Sequence, residues 1–143
     1  MLRNITKLSG AGRSVIVAQK RHLPICTIDT NLERKQVPQD FNKKLSRFIC
    51  DTLNKPEEFT TIVLRTSVDV MKEGTDSPAA SVNLWSIGVF DEIKNPQHSK
   101  VFYDFLMKEL NLTHNRISVL FHPIQKSNAG HLLYEDLIKE GKA

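Results

Sequence analysis

The stretch PICTIDTNL, residues 24–32, joins a proline, a run rich in β-branched residues and a polar turn. The run at 25–30 predicts a β-strand, and the Asp-Thr-Asn that ends the stretch predicts a turn. Pro24 stands just ahead of that strand, where a proline is tolerated. Inside the Leu23–Pro24 peptide bond its nitrogen is an amide whose lone pair is delocalised, so it is not basic. Pro24 becomes a secondary amine able to take up a proton only if residues 1–23 are removed.

Outward from Pro24, the chain runs strand, helix, strand and then repeats that order. Apolar residues recur at helical spacing from 39 to 54, and the β-branched run 60–66 predicts the second strand. Predicted strands at 81–89 and 116–121 flank a second amphipathic helix. A helical crossover of this kind makes the two strands that it joins parallel. The pattern predicts an α/β (α+β) fold, a two-layer sandwich of two βαβ units with both helices on one face of the sheet.

The other face of this sheet is expected to be apolar. Assigning Ile28, Leu64 and Leu84 to it leaves a bare hydrophobic surface on a single chain. Because monomeric soluble proteins seldom expose large apolar patches, this assignment predicts oligomerisation.

Positive charge is concentrated ahead of Pro24. Residues 1–23 hold five Lys and Arg and no Asp or Glu, which leaves residues 24–143 with 15 basic and 16 acidic side chains. The domain therefore lacks the clustered basic residues of a nucleic-acid-binding surface. No apolar run approaches the roughly 20 residues of a membrane span. Neither a nucleic acid nor a membrane is expected as a partner.

The basic, acid-free segment 1–23 has the composition of a mitochondrial presequence and lacks the uninterrupted apolar core of a secretory signal. The alternatives are a disordered extension and a start site placed upstream of the natural one. We therefore expect a leader at 1–23 and one domain at 24–143. The location is mitochondrial if the leader is a presequence, and otherwise cytoplasmic with non-classical secretion.

Cysteine and histidine spacing predicts no metal site. Cys26 and Cys50 form no CxxC pair, and the five histidines are scattered along the chain. Both cysteines are expected to be buried thiols, and neither a metal nor another cofactor is expected.

Four collinear pieces of the chain carry a resemblance to a known family: PICTIDTNL at 24–32, NKP at 54–56, SIGV at 86–89, and FLMKEL with RISVLF within 105–121. Together they resemble the macrophage migration inhibitory factor family, and more closely its D-dopachrome tautomerase branch, from Pro24 to about Gly130. The resemblance implies a homotrimer whose sheets form a central barrel. It also implies keto–enol tautomerase activity on a small keto or enol acid, at sites between subunits.

Tautomerisation needs a base that is unprotonated near neutral pH and a positive charge beside the substrate's oxygens. By resemblance, Pro24 is the base and Lys55 binds the substrate anion. The hydroxyl of Ser86 and the backbone N–H of Ile87 then contact the substrate carboxylate. An N-terminal amine in an apolar pocket beside a cation has a lowered pKa, because both influences disfavour its charged form.

The chain departs from the family at three positions of the pocket wall. Phe59, Ser118 and Leu120 stand where the migration inhibitory factor branch has tyrosine and asparagine. A leucine there removes a polar contact, so we expect a different substrate preference. The tail after Gly130 also does not follow the family pattern.

A second hypothesis retains the same fold but assigns it no catalytic activity. The chain is then a non-catalytic, cytokine-like binding protein whose extension blocks the site and whose partner is a cell-surface receptor. Because function lies in sites rather than folds, the sequence leaves this alternative open.

Overall fold

Four strands and three helices account for most of residues 23–143, which are the residues that the computed structural model describes. The strands are β1 Ile25–Thr30, β2 Thr61–Arg65, β3 Ala80–Ser86 and β4 Ile117–Pro123. The helices are α1 Phe41–Leu53, α2 Asn95–Leu110 and α3 Gly130–Lys139. Everything predicted for residues 1–22 lies outside the described residues.

The sheet confirms the two βαβ units and shows how they join. Its strand order is β2-β1-β3-β4. The pairs β1·β2 and β3·β4 are parallel, as the helical crossovers predict, whereas β1 and β3 run antiparallel at the centre. Ile25 lies opposite both Thr61 and Trp85. The start of β1 therefore meets the end of β3, and the loops at this end of the sheet converge around Pro24.

The end of α1 fixes the chain direction into this region. Asn54 adopts the left-handed conformation, with φ 55° and ψ 53°. The N–H groups of Asn54 and Lys55 both donate to the carbonyl of Cys50, the latter over 3.0 Å, so the last turn of the helix is closed. Pro56 follows and cannot continue the helix. This cap sets the position from which the Lys55 side chain starts.

The face assignment made from the sequence is wrong. Ile28 and Leu84 are fully buried in the core under the two helices, and Leu64 packs against the same core. Because strand side chains alternate, the intervening residues lie on the opposite face of the sheet. Thr27 of β1 and Asn83 of β3 are two of them. That face is largely polar. The bare apolar surface that predicted oligomerisation is therefore not present on the sheet.

The tail forms a helix that the sequence analysis did not predict. Ala129 and Leu132 are buried at the start of α3, while one side of the helix is exposed and apolar. Among residues 23–143, no helix is both long and apolar enough to cross a membrane.

Candidate active site

Pro24 lies at the end of the sheet where β1 begins and β3 ends. It is fully buried, and its carbonyl oxygen accepts a hydrogen bond from the N–H of Thr61 at 3.0 Å. The pairing of Ile25 with Trp85 brings Pro24 to the Ser86 end of β3. The two central strands therefore fix Pro24 relative to Ser86.

Lys55 is buried at the same end of the sheet. Only 9% of the residue is exposed, and its Nζ donates a hydrogen bond to the carbonyl oxygen of Ile87 at 3.0 Å. Burial lowers the pKa of Lys55, because desolvation penalises the charged ammonium. The structure thus brings together Lys55 and Ile87, two of the residues predicted to bind the substrate.

Ser86 is the last residue of β3 and its side chain is completely buried. Its carbonyl oxygen accepts the N–H of Ile124 at 2.9 Å, which ties β3 to the segment after β4. Its hydroxyl Oγ has no hydrogen-bond partner among residues 23–143. Leaving a buried hydroxyl unpaired costs about 1–3 kcal/mol. A buried hydroxyl without a partner is a candidate contact for a polar ligand, and it lies next in sequence to Ile87, to which Lys55 is hydrogen-bonded.

The chain leaves the sheet directly after Ser86, which corrects the predicted strand end at Val89. Gly88 has φ +75°, a conformation that side-chain-bearing residues rarely adopt. The carbonyl of Ile87 accepts the hydrogen bond of Lys55. The contact seen for Ile87 is thus through its carbonyl oxygen, whereas its N–H was predicted to contact the carboxylate.

Phe59 lies close to the site along the chain. It ends a short 3₁₀ turn, Glu57–Phe59, that begins two residues after Lys55, and it is half-buried. Thr60 stabilises the turn by donating from Oγ1 to the carbonyl of Pro56 at 3.3 Å. Phe59 therefore lies in sequence between Lys55 and Thr61, and the N–H of Thr61 donates a hydrogen bond to the carbonyl of Pro24.

Ser118 and Leu120 are not brought to Pro24 within one chain. Both side chains are exposed on the edge strand β4, and Leu120 is 58% exposed. Ser118 pairs with Ser81, near the end of β3 far from Ser86, and Leu120 pairs with Asn83, at the middle of β3. A role for them at this site requires that a second copy of the chain supplies them.

Leu23 has an unusual backbone conformation directly before Pro24. Its φ is 32°, its peptide bond to Pro24 is trans, and only 6% of the residue is exposed. A residue before proline favours extended conformations, so a left-handed leucine stores strain of about 1–3 kcal/mol. Leu23 therefore occupies buried space at this end of the sheet at a conformational cost.

One polar cluster, on the sheet face opposite the helices, was not predicted from the sequence. The ring of His122 stacks on Trp85, with centroids 4.7 Å apart, and its Nε2 lies 2.7 Å from Oδ1 of Asn83. Alternation of polar residues along β3 and β4 was the available signal.

No group of three His, Cys, Asp or Glu within residues 23–143 is arranged to hold a metal ion. Cys26 is buried, which raises the pKa of its thiol to about 12.

Two parallel βαβ pairs joined antiparallel, with a proline, a buried lysine and a buried serine at one end, define a tautomerase-type α+β fold. A family model described as macrophage migration inhibitory factor matches residues 23–132. The chain belongs to the macrophage migration inhibitory factor family.

Curated relatives and solved structures agree with this assignment. The chain is 34% identical over 109 residues to D-dopachrome decarboxylase-B of Xenopus laevis, covering 76% of this chain and 92% of that one. It is 31% identical over 108 residues to a macrophage migration inhibitory factor homolog of Trichinella spiralis, covering 76% and 95%. The solved structure of the factor from Trichinella spiralis superposes with a TM-score of 0.71 at 29% identity, over 73% of this chain and 92% of that one.

Proposed function

We propose that this protein is a keto–enol tautomerase of the phenylpyruvate or dopachrome type, with Pro24 as its base once residues 1–23 have been removed. The observation that carries the proposal is the meeting of Pro24, Lys55 and Ser86 at one buried end of the sheet. Proton transfer next to a carbonyl needs a base and a nearby positive charge, and Pro24 and Lys55 are residue types that can supply them.

The reaction starts with a free Pro24 amine. The amine takes a proton from the carbon beside the carbonyl. The electron pair of the broken C–H bond forms a carbon–carbon double bond, and the π pair of the carbonyl moves onto its oxygen to give an enolate. Burial and the charge of Lys55 both disfavour the protonated amine, which keeps it available as a base near neutral pH. Return of the proton to the enolate oxygen gives the enol, and the reverse sequence gives the keto acid.

Lys55 and Ser86 supply the electrostatic part of the proposal. The Lys55 ammonium stabilises negative charge on the substrate, and it acts in a buried site where such interactions are stronger than in water. The Ser86 hydroxyl donates to the substrate carboxylate and gains a partner that it does not have among residues 23–143. A small acid with a carbonyl next to its carboxylate fits both groups, with Ile87 and Phe59 as neighbouring walls.

We further propose that the protein is a homotrimer in which Ser118 and Leu120 of one subunit close the site of its neighbour. Their exposure on the edge strand β4 supports this, because an unpaired edge is available to another subunit. Members of the family are commonly oligomeric. Because Leu120 offers no hydrogen bond, a substrate with an apolar ring is favoured at this wall.

Two chains that differ by one residue test the role of Pro24. The first begins at Pro24 and the second at Leu23, and both are assayed for enol–keto conversion of p-hydroxyphenylpyruvate. We expect activity in the first chain and at least a hundredfold less in the second, since there the proline nitrogen is an amide. The complete 143-residue chain is expected to behave like the second.

The same assay addresses the cytokine-like alternative, which the burial of Leu23 in front of Pro24 favours. Equal inactivity of a correctly folded Pro24 chain and the Leu23 chain would reject the enzyme and leave a binding protein. A Pro24 chain carrying Lys55→Met serves as a matched control, because it keeps the free amine and loses the cation together with its hydrogen bond to the Ile87 carbonyl.

A further inference from the structure

A surface cavity of about 430 Å³ lies against the sheet face opposite the helices, at the end where β1 begins. Its volume is in the range of small-molecule sites, which are lined mainly by apolar and aromatic side chains. Ile25 and Trp85, which are cross-strand partners, belong to its lining, and so does Ile124 after β4. Thr27 and Asn128 add a hydroxyl and an amide. The cavity therefore has the composition of a site for a small molecule with an apolar body.

The indole ring of Trp85 is held in place from the side of β4. His122 is its register partner on that strand, and the two rings stack with centroids 4.7 Å apart and planes 14° apart. The amide oxygen of Asn83 can only accept a hydrogen bond, so the Nε2–H of His122 donates to it over 2.7 Å. Trp85 lines the cavity, whereas His122 does not. Asn83 and His122 thus fix the indole ring from outside the cavity and leave it available to a ligand.

The cavity adjoins the nitrogen of Pro24. Leu23 contributes to its lining, and the carbonyl carbon of Leu23 is bonded to that nitrogen. In a chain that begins at Pro24, the space of Leu23 joins the cavity and the free amine lies at its edge. Trp85 and Ser86 are consecutive on β3, so their side chains lie on opposite faces of the sheet. The pairing of Ile25 with Trp85 brings Pro24 next to both of them.

The order of these groups matches the order of groups in an arylpyruvate. In such a molecule, the carbon that loses its proton lies between the aromatic ring on one side and the carbonyl and carboxylate on the other. At this end of the sheet, Pro24 lies between the indole of Trp85 and the hydroxyl of Ser86. Two aromatic rings in contact bind more tightly than their buried area alone provides, by about fivefold in a dissociation constant. An aliphatic group of the same size gains only the burial.

We propose that Trp85, positioned by His122 and Asn83, determines the specificity of the Pro24 site by stacking on the aromatic ring of the substrate. This inference rests on the proposed tautomerase function and adds the substrate class, a small oxo acid that carries an aromatic ring. An oxo acid with an aliphatic ring fits the same cavity and lacks the stacking contact.

Binding of two acids that cannot tautomerise separates recognition from catalysis. Hydrocinnamate and its cyclohexyl analogue keep the skeleton of phenylpyruvate without its ketone, and both are titrated by calorimetry into the complete chain and into the chain that begins at Pro24. Every strand, helix and core-cluster residue lies after Pro24, so the shorter chain retains the whole fold.

We expect the Pro24 chain to bind hydrocinnamate about fivefold more tightly than the cyclohexyl acid, and Trp85→Leu to abolish this preference. Trp85 is the only tryptophan of the chain, so its fluorescence changes when hydrocinnamate binds to the parent. Equal affinity of the parent for both acids, or a preference that survives Trp85→Leu, would overturn the proposal.

Two variants at residue 122 test whether His122 positions the indole. His122→Ala removes the stacked ring, whereas His122→Phe keeps a ring there without the hydrogen bond to Asn83. We expect the preference for hydrocinnamate to fall below about twofold in His122→Ala and to be restored in His122→Phe. His114→Ala is the matched control, because His114 is exposed in the turn before β4, at the other end of that strand. An unchanged preference in His122→Ala would reject the positioning role.

Turnover distinguishes a failure of this inference from a failure of the proposed function. Phenylpyruvate and cyclohexylpyruvate are compared on the Pro24 chain, and we expect Trp85→Leu to lower the ratio of their kcat/KM values about fivefold. Absent turnover together with a Trp85-dependent preference in binding would reject the tautomerase and keep Trp85 as the residue that binds the ring. Turnover of both acids with the same ratio in parent and variant would keep the tautomerase and overturn the role of Trp85.

Discussion

The unpaired hydroxyl of Ser86 leads to a prediction in which stability and activity change in opposite directions. Ser86 is completely buried and its Oγ has no partner among residues 23–143. A buried hydroxyl without a hydrogen bond costs about 1–3 kcal/mol. The variant Ser86→Ala removes this group and keeps the Cβ that packs under the helices. We expect the free energy of unfolding to rise by about 1 kcal/mol in the ligand-free protein, after allowance for the small void left behind.

Thermal and urea unfolding measure the effect directly. For a domain of this size, 1 kcal/mol raises Tm by about 3–5 °C. Ser81→Ala is the matched control, because Ser81 lies on the same strand and is only half-buried. We expect its free energy of unfolding to stay within about 0.5 kcal/mol of the parent. A loss of stability in Ser86→Ala would refute the reasoning, since it would mean that the hydroxyl is paired in solution.

The effect of Ser86→Ala on tautomerase activity is measured on the chain that begins at Pro24. If Ser86 donates to the substrate carboxylate, Ser86→Ala lowers kcat/KM about tenfold, which corresponds to one hydrogen bond to a charged group. A substrate analogue then raises the Tm of the parent more than that of the variant. A variant that is more stable and equally active would reject Ser86 as a binding residue.

Three further predictions follow from other contacts. Burial lowers the pKa of Lys55 below 10.5, so the free energy of unfolding rises as pH increases from that lowered pKa towards 10.5. We expect Lys55→Met to lack this rise. Urea unfolding of the parent and the variant between pH 7 and 10.5 measures the difference. The pKa of Asp29 is lowered by its hydrogen bonds to Arg65, 2.5 and 2.9 Å long, so its stabilisation is present above pH 3.8 and is lost as pH falls through the lowered value. Acid unfolding of Asp29→Asn is therefore expected to show a weaker dependence on pH in that window. Thr30→Val leaves the carbonyl of Ala79 and a backbone N–H without their buried partner, and is expected to cost about 1–3 kcal/mol in chemical unfolding.

The repeated strand–helix–strand order could be predicted because each part has a local signal. The apolar spacing at 39–54 is a property of neighbouring residues, and it agrees with α1, which runs from Phe41 to Leu53. The antiparallel pairing of β1 with β3 has no such signal, because it depends on contacts between residues distant in sequence. The error about the open face has a related cause. Alternation separates Ile28 from Thr27, but which set faces the helices is decided only when the two layers pack.

The site could be predicted in part for similar reasons. Pro24, Lys55, Ser86 and Ile87 were recognised from the family resemblance, and the structure brings them to one end of the sheet. Leu120 was recognised in the same way, yet one chain leaves it exposed on an edge strand. A resemblance assigns residues to a site without saying which copy of the chain supplies them. The apolar side of α3 was missed because the tail has no counterpart in the family pattern, although its leucines are spaced as in a helix.

The positions of the unfavourable features support a functional reading of the Pro24 end. The cap at Asn54 fixes Lys55, the turn at Gly88 follows Ile87, and the β1·β3 register aligns Pro24 with Ser86, all at little cost. Two costly features stand among them, the left-handed Leu23 and the unpaired Ser86 hydroxyl. Neither is needed to close the core, and strain that the rest of a structure maintains tends to mark functional sites. Under the proposed function, removal of residues 1–23 would eliminate the first cost and binding of a substrate carboxylate would eliminate the second, so the proposed site would account for both.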